Sequence, residues 1–373
     1  MPLSPTNFAD TPTPDPSPQV GGEQCDLTAV LAEQVRRATS RKTPLRIVGG
    51  DTKEFYGRRV GGEALSLADH NGVISYDPSE LVIVARAGTP LAEIEARLDQ
   101  GGQMLAFEPP RFGAASTIGG VVAAGLAGPR RLFSGGVRDC VLGATILDGQ
   151  GRVLRFGGQV FKNVAGFDAF RLMAGALGSL GVILEVSLRV APRPARELAV
   201  TLELPMEAAR ARLAEAMRRP SALSGAFHDG QRLHLRFCGG EAGVAEAARF
   251  WGGEGEALGA WDAIRDHAHP ATAHAKRLWR LSLPQTAPIP ACGEALAWDW
   301  AGAQVWMASD AAPEVIWPAA AEAGGHAALF RGARGGENAF QPLAPTLLAL
   351  HQRLKAALDP VGVFNPGRMY GAL

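Results

Sequence analysis

Apolar positions recur along this chain with helical and strand periods. Residues 27–38, LTAVLAEQVRRA, place Leu27, Val30, Leu31 and Val35 on one helical face. Asp26 is the expected N-cap. Residues 91–100, LAEIEARLDQ, repeat the pattern with Leu91, Ile94 and Leu98. Short β-rich runs lie at 45–48, 81–85 and 182–190, and 141–155 reads as strand, turn, strand around the hairpin signal Asp148-Gly149. A helix is expected over 169–177. Pro192 and Pro194 then break the pattern and mark the end of a first domain.

Beyond residue 197 the texture changes. Strands are expected in ELAVTLEL, at 232–237, 278–284 and 303–308, alternating with helices at 207–218, 241–251 and 313–323. Two strand–helix–strand units of this kind predict a compact antiparallel sheet covered by helices, an α+β domain. A last helix over 343–358 leads into DPVGVFNPGRMY, a tail expected to return to the first domain. Pro2, Pro5, Pro12, Pro14, Pro16 and Pro18 make the first stretch an extended arm. The expected division is an arm over 1–25, a first domain over 26–195, a smaller α+β domain over 196–342, and a returning segment over 343–373.

With 47% hydrophobic and 20% charged residues in 373, the chain has material for a soluble protein with an ample core. Its formal net charge is zero, which argues against nucleic acid or an anionic membrane as the main partner. Only three tyrosines are present, so base-stacking platforms are not expected. Cys25, Cys140, Cys238 and Cys292 form no CxxC and read as free thiols of a reducing cytoplasm. Any redox chemistry here would lack an iron–sulfur cluster of its own. No Lys or Arg precedes Arg36, so no signal-peptide n-region is expected. The longest uncharged stretch, 112–129, is too rich in glycine to read as a transmembrane helix.

Three glycine-rich loops change the picture. They are Gly49-Gly50-Asp51-Thr52-Lys53, Ser116-Thr117-Ile118-Gly119-Gly120 and Gly175-Ala176-Leu177-Gly178-Ser179-Leu180-Gly181, followed near the C-terminus by Phe364-Asn365-Pro366-Gly367. Backbone N–H groups in such concavities bind phosphate oxygens. The competing reading is a set of tight turns in a β-rich domain. Neither the P-loop nor the strand–G-x-G-x-x-G–helix signature of nucleotide binding is present.

The stretches VGGDTK (48–53), AGTPLAEIEARL (87–98), EPPRFGAASTIGGVVAAGLAGP (108–129), VRDCVLGATILDGQGRVLRFGG (137–158), KNVAGFD (162–168), GALGSLGVI (175–183) and FNPGRM (364–369) resemble the FAD-binding domain of the vanillyl-alcohol oxidase and p-cresol methylhydroxylase superfamily. Within it, the chain most resembles the FAD-binding subunits of bacterial glycolate oxidases. The resemblance covers nearly everything after residue 25. It implies a two-subdomain FAD-binding domain followed by a small α+β cap. It implies that Gly49, Gly50, Asp51, Thr52 and Lys53 form a first pyrophosphate loop, and that Ser116, Thr117, Ile118, Gly119 and Gly120 form a second loop beside the flavin. Pro109 and Pro110 would wall the entry. Gly125 and Gly128 belong to the same stretch, Gly125 replacing the commoner Asn. Gly178, Gly181, Val182 and Ile183 would pack near the adenine, where Leu177 replaces a frequent Glu, and Asn365 would close the pocket. Some relatives attach flavin covalently through a His in the first loop. Asp51 stands there in this chain, so non-covalent FAD is expected.

The resemblance further implies oxidation of a small 2-hydroxy acid, glycolate or D-lactate, within a heteromeric complex. The implied partners are a larger flavin subunit and an iron–sulfur subunit, and the implied location is cytoplasmic, at the inner face of the cell membrane through those partners. A stand-alone FAD-dependent 2-hydroxy-acid dehydrogenase and a non-catalytic flavin-holding scaffold remain as alternatives. No catalytic base stands out. Arg280 and Arg331 are candidates for a substrate carboxylate, since an Arg fork binds one in bidentate fashion. His267, His269 and His274 read as a surface loop rather than a metal site, because Pro270 interrupts any helix and no carboxylate follows at ligand spacing. Lys162, Asn163 and Asp168 read as a supporting turn. The tryptophans Trp251, Trp261, Trp279, Trp298, Trp300, Trp306 and Trp317 read mostly as core.

Overall fold

The computed structural model describes residues 25–158, 168–218, 221–334 and 336–373. The arm over 1–24, together with Lys162 and Asn163, lies outside the described residues. The first helix runs over Thr28–Arg41 and buries Leu31, Val35 and Ala38. The N-cap is Leu27 rather than the expected Asp26, which sits one position before it and accepts the Thr28 N–H at 2.9 Å. Lys42 ends the helix in the left-handed region at φ 55°. Chain then enters the strand Leu45–Val48, which pairs in parallel with Glu63–Ser66. The helix Leu91–Gln100 has the expected bounds, with Leu91, Ile94 and Leu98 buried. Full burial of such a side chain contributes about 1.5–3 kcal/mol.

A five-stranded antiparallel sheet forms the second part of this half. Its spatial order is Val73–Asp77, Val82–Arg86, Val182–Arg189, Val141–Leu147, Val153–Gly157. The hairpin closes at Asp148, whose carboxylate accepts the N–H groups of Gln150 and Arg152. The helix expected over 169–177 is only a five-residue 3-10 turn, Ala169–Met173, because Gly175 and Gly178 both adopt positive φ and end it. Asp168 sits exposed beside Arg171, at 3.3 Å.

Residues 196–331 build an eight-stranded antiparallel sheet in the order Glu254–Glu256, Arg196–Glu203, Arg232–Gly239, Leu223–His228, Glu294–Asp299, Gln304–Ala308, Leu278–Ser282, His326–Arg331. Helices Met206–Ala216, Glu241–Trp251 and Pro313–Glu322 accompany it. Leu223–His228, Glu294–Asp299 and His326–Arg331 escaped the pattern reading, their short runs being broken by Gly225, by the polar ends of Glu294–Asp299, and by the alanines of His326–Arg331. Each tryptophan of this region is at least 92% buried, with Trp300 the most exposed at 8%. The region therefore offers no exposed tryptophan cluster.

The two halves meet across a mixed seam. Tyr56, Leu177, Phe227, Trp261, Leu278, Trp306 and Phe330 form its apolar part. Its charged part is centred on Glu108, which takes Arg130 on one side and Arg236 on the other. Burial raises the Glu108 carboxyl, but the two guanidiniums outweigh it and hold the group below its ordinary value. Arg130 also pairs with Glu197. The last helix, Pro345–Leu358, carries a buried Lys355 that donates to Asp359, to Ser179 O and to Phe364 O. This clamp returns the tail to the first strand, where Leu45 N donates to Val363 O and Asn365 N to Leu45 O.

Candidate functional site

The returning tail, the first strand and the three glycine loops converge on one cleft. From the first loop, Gly49, Gly50, Asp51, Thr52 and Lys53 line it. Thr117, Gly119 and Gly120 line it from the second, and Gly178, Gly181 and Ile183 from the third. Asn365 completes the wall.

Close backbone approach explains two of the glycines. A Cβ on Gly50 would overlap the Ala115 carbonyl, so the first two loops touch only because it is absent. A Cβ on Gly119 would meet Ala87 Cβ at 2.5 Å and Ala87 O at 2.8 Å, where the strand Val82–Arg86 has just ended. Thr117 starts the short helix Ile118–Ala124, its hydroxyl accepting the Gly120 N–H at 3.3 Å.

Three non-glycine residues of this wall adopt positive φ: Asp51 at 56°, Leu177 at 51° and Asn365 at 39°. Such backbone is costly and tends to cluster at ligand clamps. Asn365 is held by its side chain, which accepts Ile47 N–H at 2.9 Å and donates to Leu177 O at 2.7 Å. The amide thus ties the first strand to the third glycine loop.

Lys53 lines the cleft and ties two of its loops together. Within the first loop its ammonium donates to Ser116 Oγ at 2.7 Å and reaches Arg111 O at 3.4 Å, stapling the first loop to the second. Burial pushes it down to about 8, against the opposing pull of Asp266. Other cations of the cleft were missed. Arg46 pairs with Asp51 at 2.8 Å, and Arg368 donates to the carbonyls of Lys53 and Glu54 at 3.1 Å. Arg46, Lys53 and Arg368 stand against Asp51 and Glu54, so the lining carries a net positive charge suited to a diphosphate. Arg368 lies within FNPGRM and was there to be read. Leu67, Ala87, Ala123 and Ala124 also line the cleft and carry no sequence signal of their own.

Several expected residues lie off the cleft wall. Ser116 is buried behind it as the partner of Lys53. Ile118 and Val182 point into the core. Pro109 borders a separate cavity with Glu108 and Arg130, and Pro110 is buried beside it. Gly125 packs against Gly175, and Gly128 packs on Glu108 O while its own carbonyl accepts the Trp300 indole N–H at 3.0 Å.

Neither proposed substrate arginine lines the cleft. Arg280 donates to the Tyr56 hydroxyl at 2.9 Å and lies over that ring. Arg331 donates to Ala275 O at 3.2 Å and Thr272 O at 2.6 Å, a structural fork. The histidine run is not one surface loop. His267 is stacked on Phe112 and packed against Trp306 and Phe330, and burial pushes its imidazole down to about 3. His269 faces His234, and His274 alone is exposed.

Comparison with known proteins agrees with this geometry. Residues 24–157 match the family described as FAD binding domain. The structure of an alkyldihydroxyacetonephosphate synthase superposes with a TM-score of 0.62 over 90% of this chain and 75% of its own, at 14% identity, a likeness of fold alone. Fold and family together define an FAD-dependent oxidoreductase with a two-part FAD-binding domain and an α+β cap. Glycolate oxidase subunit GlcE of Escherichia coli strain K12 is 48% identical over 351 residues, 94% of this chain and 99% of that one. The chain belongs to this family of glycolate oxidase subunits. D-lactate dehydrogenase of Anaerostipes hadrus is 29% identical over 48% of this chain and 38% of its own. Glycolate oxidase subunit GlcD of Bacillus subtilis is 30% identical over 36% of this chain and 28% of its own. Among the described residues, no helix is long and apolar enough to cross a membrane.

Proposed function

We propose that this chain is the FAD-bearing subunit of a complex that oxidises glycolate to glyoxylate, residues 26–195 and 343–373 forming its cofactor half and 196–342 its cap. The observation that carries the reading is the cleft itself: three glycine loops and a strained Asn365 converge on one positively charged cavity. Non-covalently bound FAD supplies the two-electron acceptor that no side chain offers. The chain's own residues bind and orient it. Gly49, Gly50 and Gly119 line the cavity, Arg46 and Arg368 would balance the diphosphate charge, and Asn365 would close the flavin pocket. Asp51 provides no ring nitrogen for a covalent link. The described cysteines are free thiols with no CxxC spacing for an iron–sulfur cluster, and electrons would leave through a larger flavin subunit and an iron–sulfur subunit, at the inner face of the cell membrane.

Gly119→Val in the assembled complex tests this reading. The added atoms collide with Ala87, so loss of glycolate oxidation with assembly intact is expected. Full activity in an intact complex lacking this subunit's flavin would leave only the scaffold role.

The engaged arginines favour a second, narrower reading, in which glycolate is oxidised on the partner's flavin and this subunit receives the electrons. Arg280 and Arg331 already have protein partners, and His267, Phe112, Phe330 and Trp306 fill the seam beside them. The purified chain with bound flavin, mixed anaerobically with glycolate, is expected to keep its oxidised spectrum. Bleaching would place a complete substrate site in this chain.

A further inference from the structure

We propose that Asp229, His234 and His269 form a binding site for one divalent transition-metal ion, of the zinc type, in the cap. Asp229 lies in the turn between Leu223–His228 and Arg232–Gly239. One of its carboxylate oxygens accepts the N–H groups of Gln231 and Arg232 at 2.9 and 2.7 Å. The other lies 3.1 Å from His234 Nε2. His269 arrives from the segment between the helices Ala260–Arg265 and Pro270–Ala273, its ring 5.8 Å from that of His234. The three potential ligand atoms lie within 4.8 Å of one another.

This spacing is close to a coordination shell. Metal–ligand bonds of about 2.0–2.1 Å around a tetrahedral zinc leave ligand atoms about 3.3 Å apart. The Asp229–His234 edge, at 3.1 Å, is near that length, and the edges to His269 lie within 4.8 Å. The supporting shell is also present. His234 Nδ1 lies 2.6 Å from Glu256 Oε1, the carboxylate–histidine–metal relay that orients a ligand imidazole. Glu256 Oε2 is buried without a hydrogen-bond partner of its own. A divalent ion exchanged for the proton of His234 Nε2 brings Asp229, Glu256 and the metal to neutrality. Binding at His269 Nε2 gives up one long contact, the Ala271 N–H on Nδ1 at 3.3 Å. Two imidazoles and one carboxylate select zinc, cobalt, nickel or copper over magnesium or calcium.

The site would fasten the hairpin to the 266–274 segment. That segment carries Asp266, which accepts the Arg111 N–H at 2.9 Å, and His267, stacked on Phe112. Arg111 and Phe112 stand just before the second glycine loop. The metal thus braces the cap against the cofactor half.

The test is a Co2+ titration of the full chain after chelation, read by visible ligand-field absorption and by metal analysis. One ion per chain with tetrahedral-type bands, displaced by Zn2+, is expected. Asp229→Asn and His269→Gln each remove a ligand and should weaken binding by more than the roughly 10–100-fold that loss of an outer-shell partner costs, while His274→Gln leaves it unchanged. A thiolate-to-cobalt charge-transfer band would place the ion on cysteine and overturn the site. So would the absence of saturable one-to-one binding to the wild-type chain, a result that stands even if a variant fails to fold.

Discussion

Replacing Asn365 by alanine tests how far one amide organises the cofactor cleft. The side chain makes two hydrogen bonds, accepting from the part-buried Ile47 N–H and donating to the buried Leu177 O, and the residue sits at φ 39° and 5% exposure. Alanine leaves both backbone partners unsatisfied, at about 1–3 kcal/mol each where water cannot reach them. It must also hold positive φ without the local hydrogen bonding that makes asparagine tolerant there, at roughly 1 kcal/mol. Since one partner faces the cleft and regains some solvent, the net loss should be about 2–5 kcal/mol. For 373 residues, an unfolding entropy of about 2.1 cal/mol/K per residue turns this into a fall in Tm of about 3–6 °C. Thermal unfolding should be followed by circular dichroism with and without saturating FAD, because ligand binding itself raises Tm. Flavin content after desalting should fall in parallel. Asn365→Gly relieves the backbone strain alone and should recover about 1 kcal/mol relative to alanine. An alanine variant within about 0.5 kcal/mol of wild type, with full flavin content, would refute the reasoning.

Two further outcomes are expected. Gly50→Val forces the first glycine loop away from the Ala115 carbonyl, and FAD affinity measured by flavin fluorescence should fall at least about 100-fold, the gap set by losing several N–H contacts of about 1–1.5 kcal/mol each, with the far-ultraviolet spectrum unchanged; native affinity would show that the loops part freely. Asp299 is buried at the seam, and burial pushes its carboxyl up to about 7 even though it accepts the Trp300 N–H and lies near Arg236. The folded protein therefore holds this proton more tightly than the unfolded chain, so the contribution is complete below about pH 4 and is lost as pH rises to about 7. Asp299→Asn keeps the acceptor and cannot ionise; it should raise the urea midpoint relative to wild type at pH 8 and change it little at pH 4. An equal shift at both pH values would sink this assignment.

The chain's own pattern determined its local elements and the chemical character of its loops. Leu91, Ile94 and Leu98 define a helix whose bounds the structure repeats, because an amphipathic period is a property of neighbouring residues. The glycine loops were legible for a similar reason: only a residue without a Cβ tolerates such close approach, and that requirement marks the sequence directly. Strands such as Leu223–His228 and His326–Arg331 were not legible, since their identity rests on pairing with partners far along the chain. The tertiary structure alone decided which side chains meet. Asn365 reaches Ile47 and Leu177 across long stretches of sequence, and Arg368 reaches the carbonyls of Lys53 and Glu54. It also separated three histidines that looked like one group, sending His267 into an aromatic seam and His269 towards Asp229 and His234. An arginine's sequence position records its charge but not its partner, and so Arg280 and Arg331, plausible carboxylate anchors on paper, were assigned to Tyr56 and to backbone carbonyls by packing. Periodicity carries information over a few residues, whereas a binding cleft is a meeting of segments whose distance in sequence has no bearing on their distance in space.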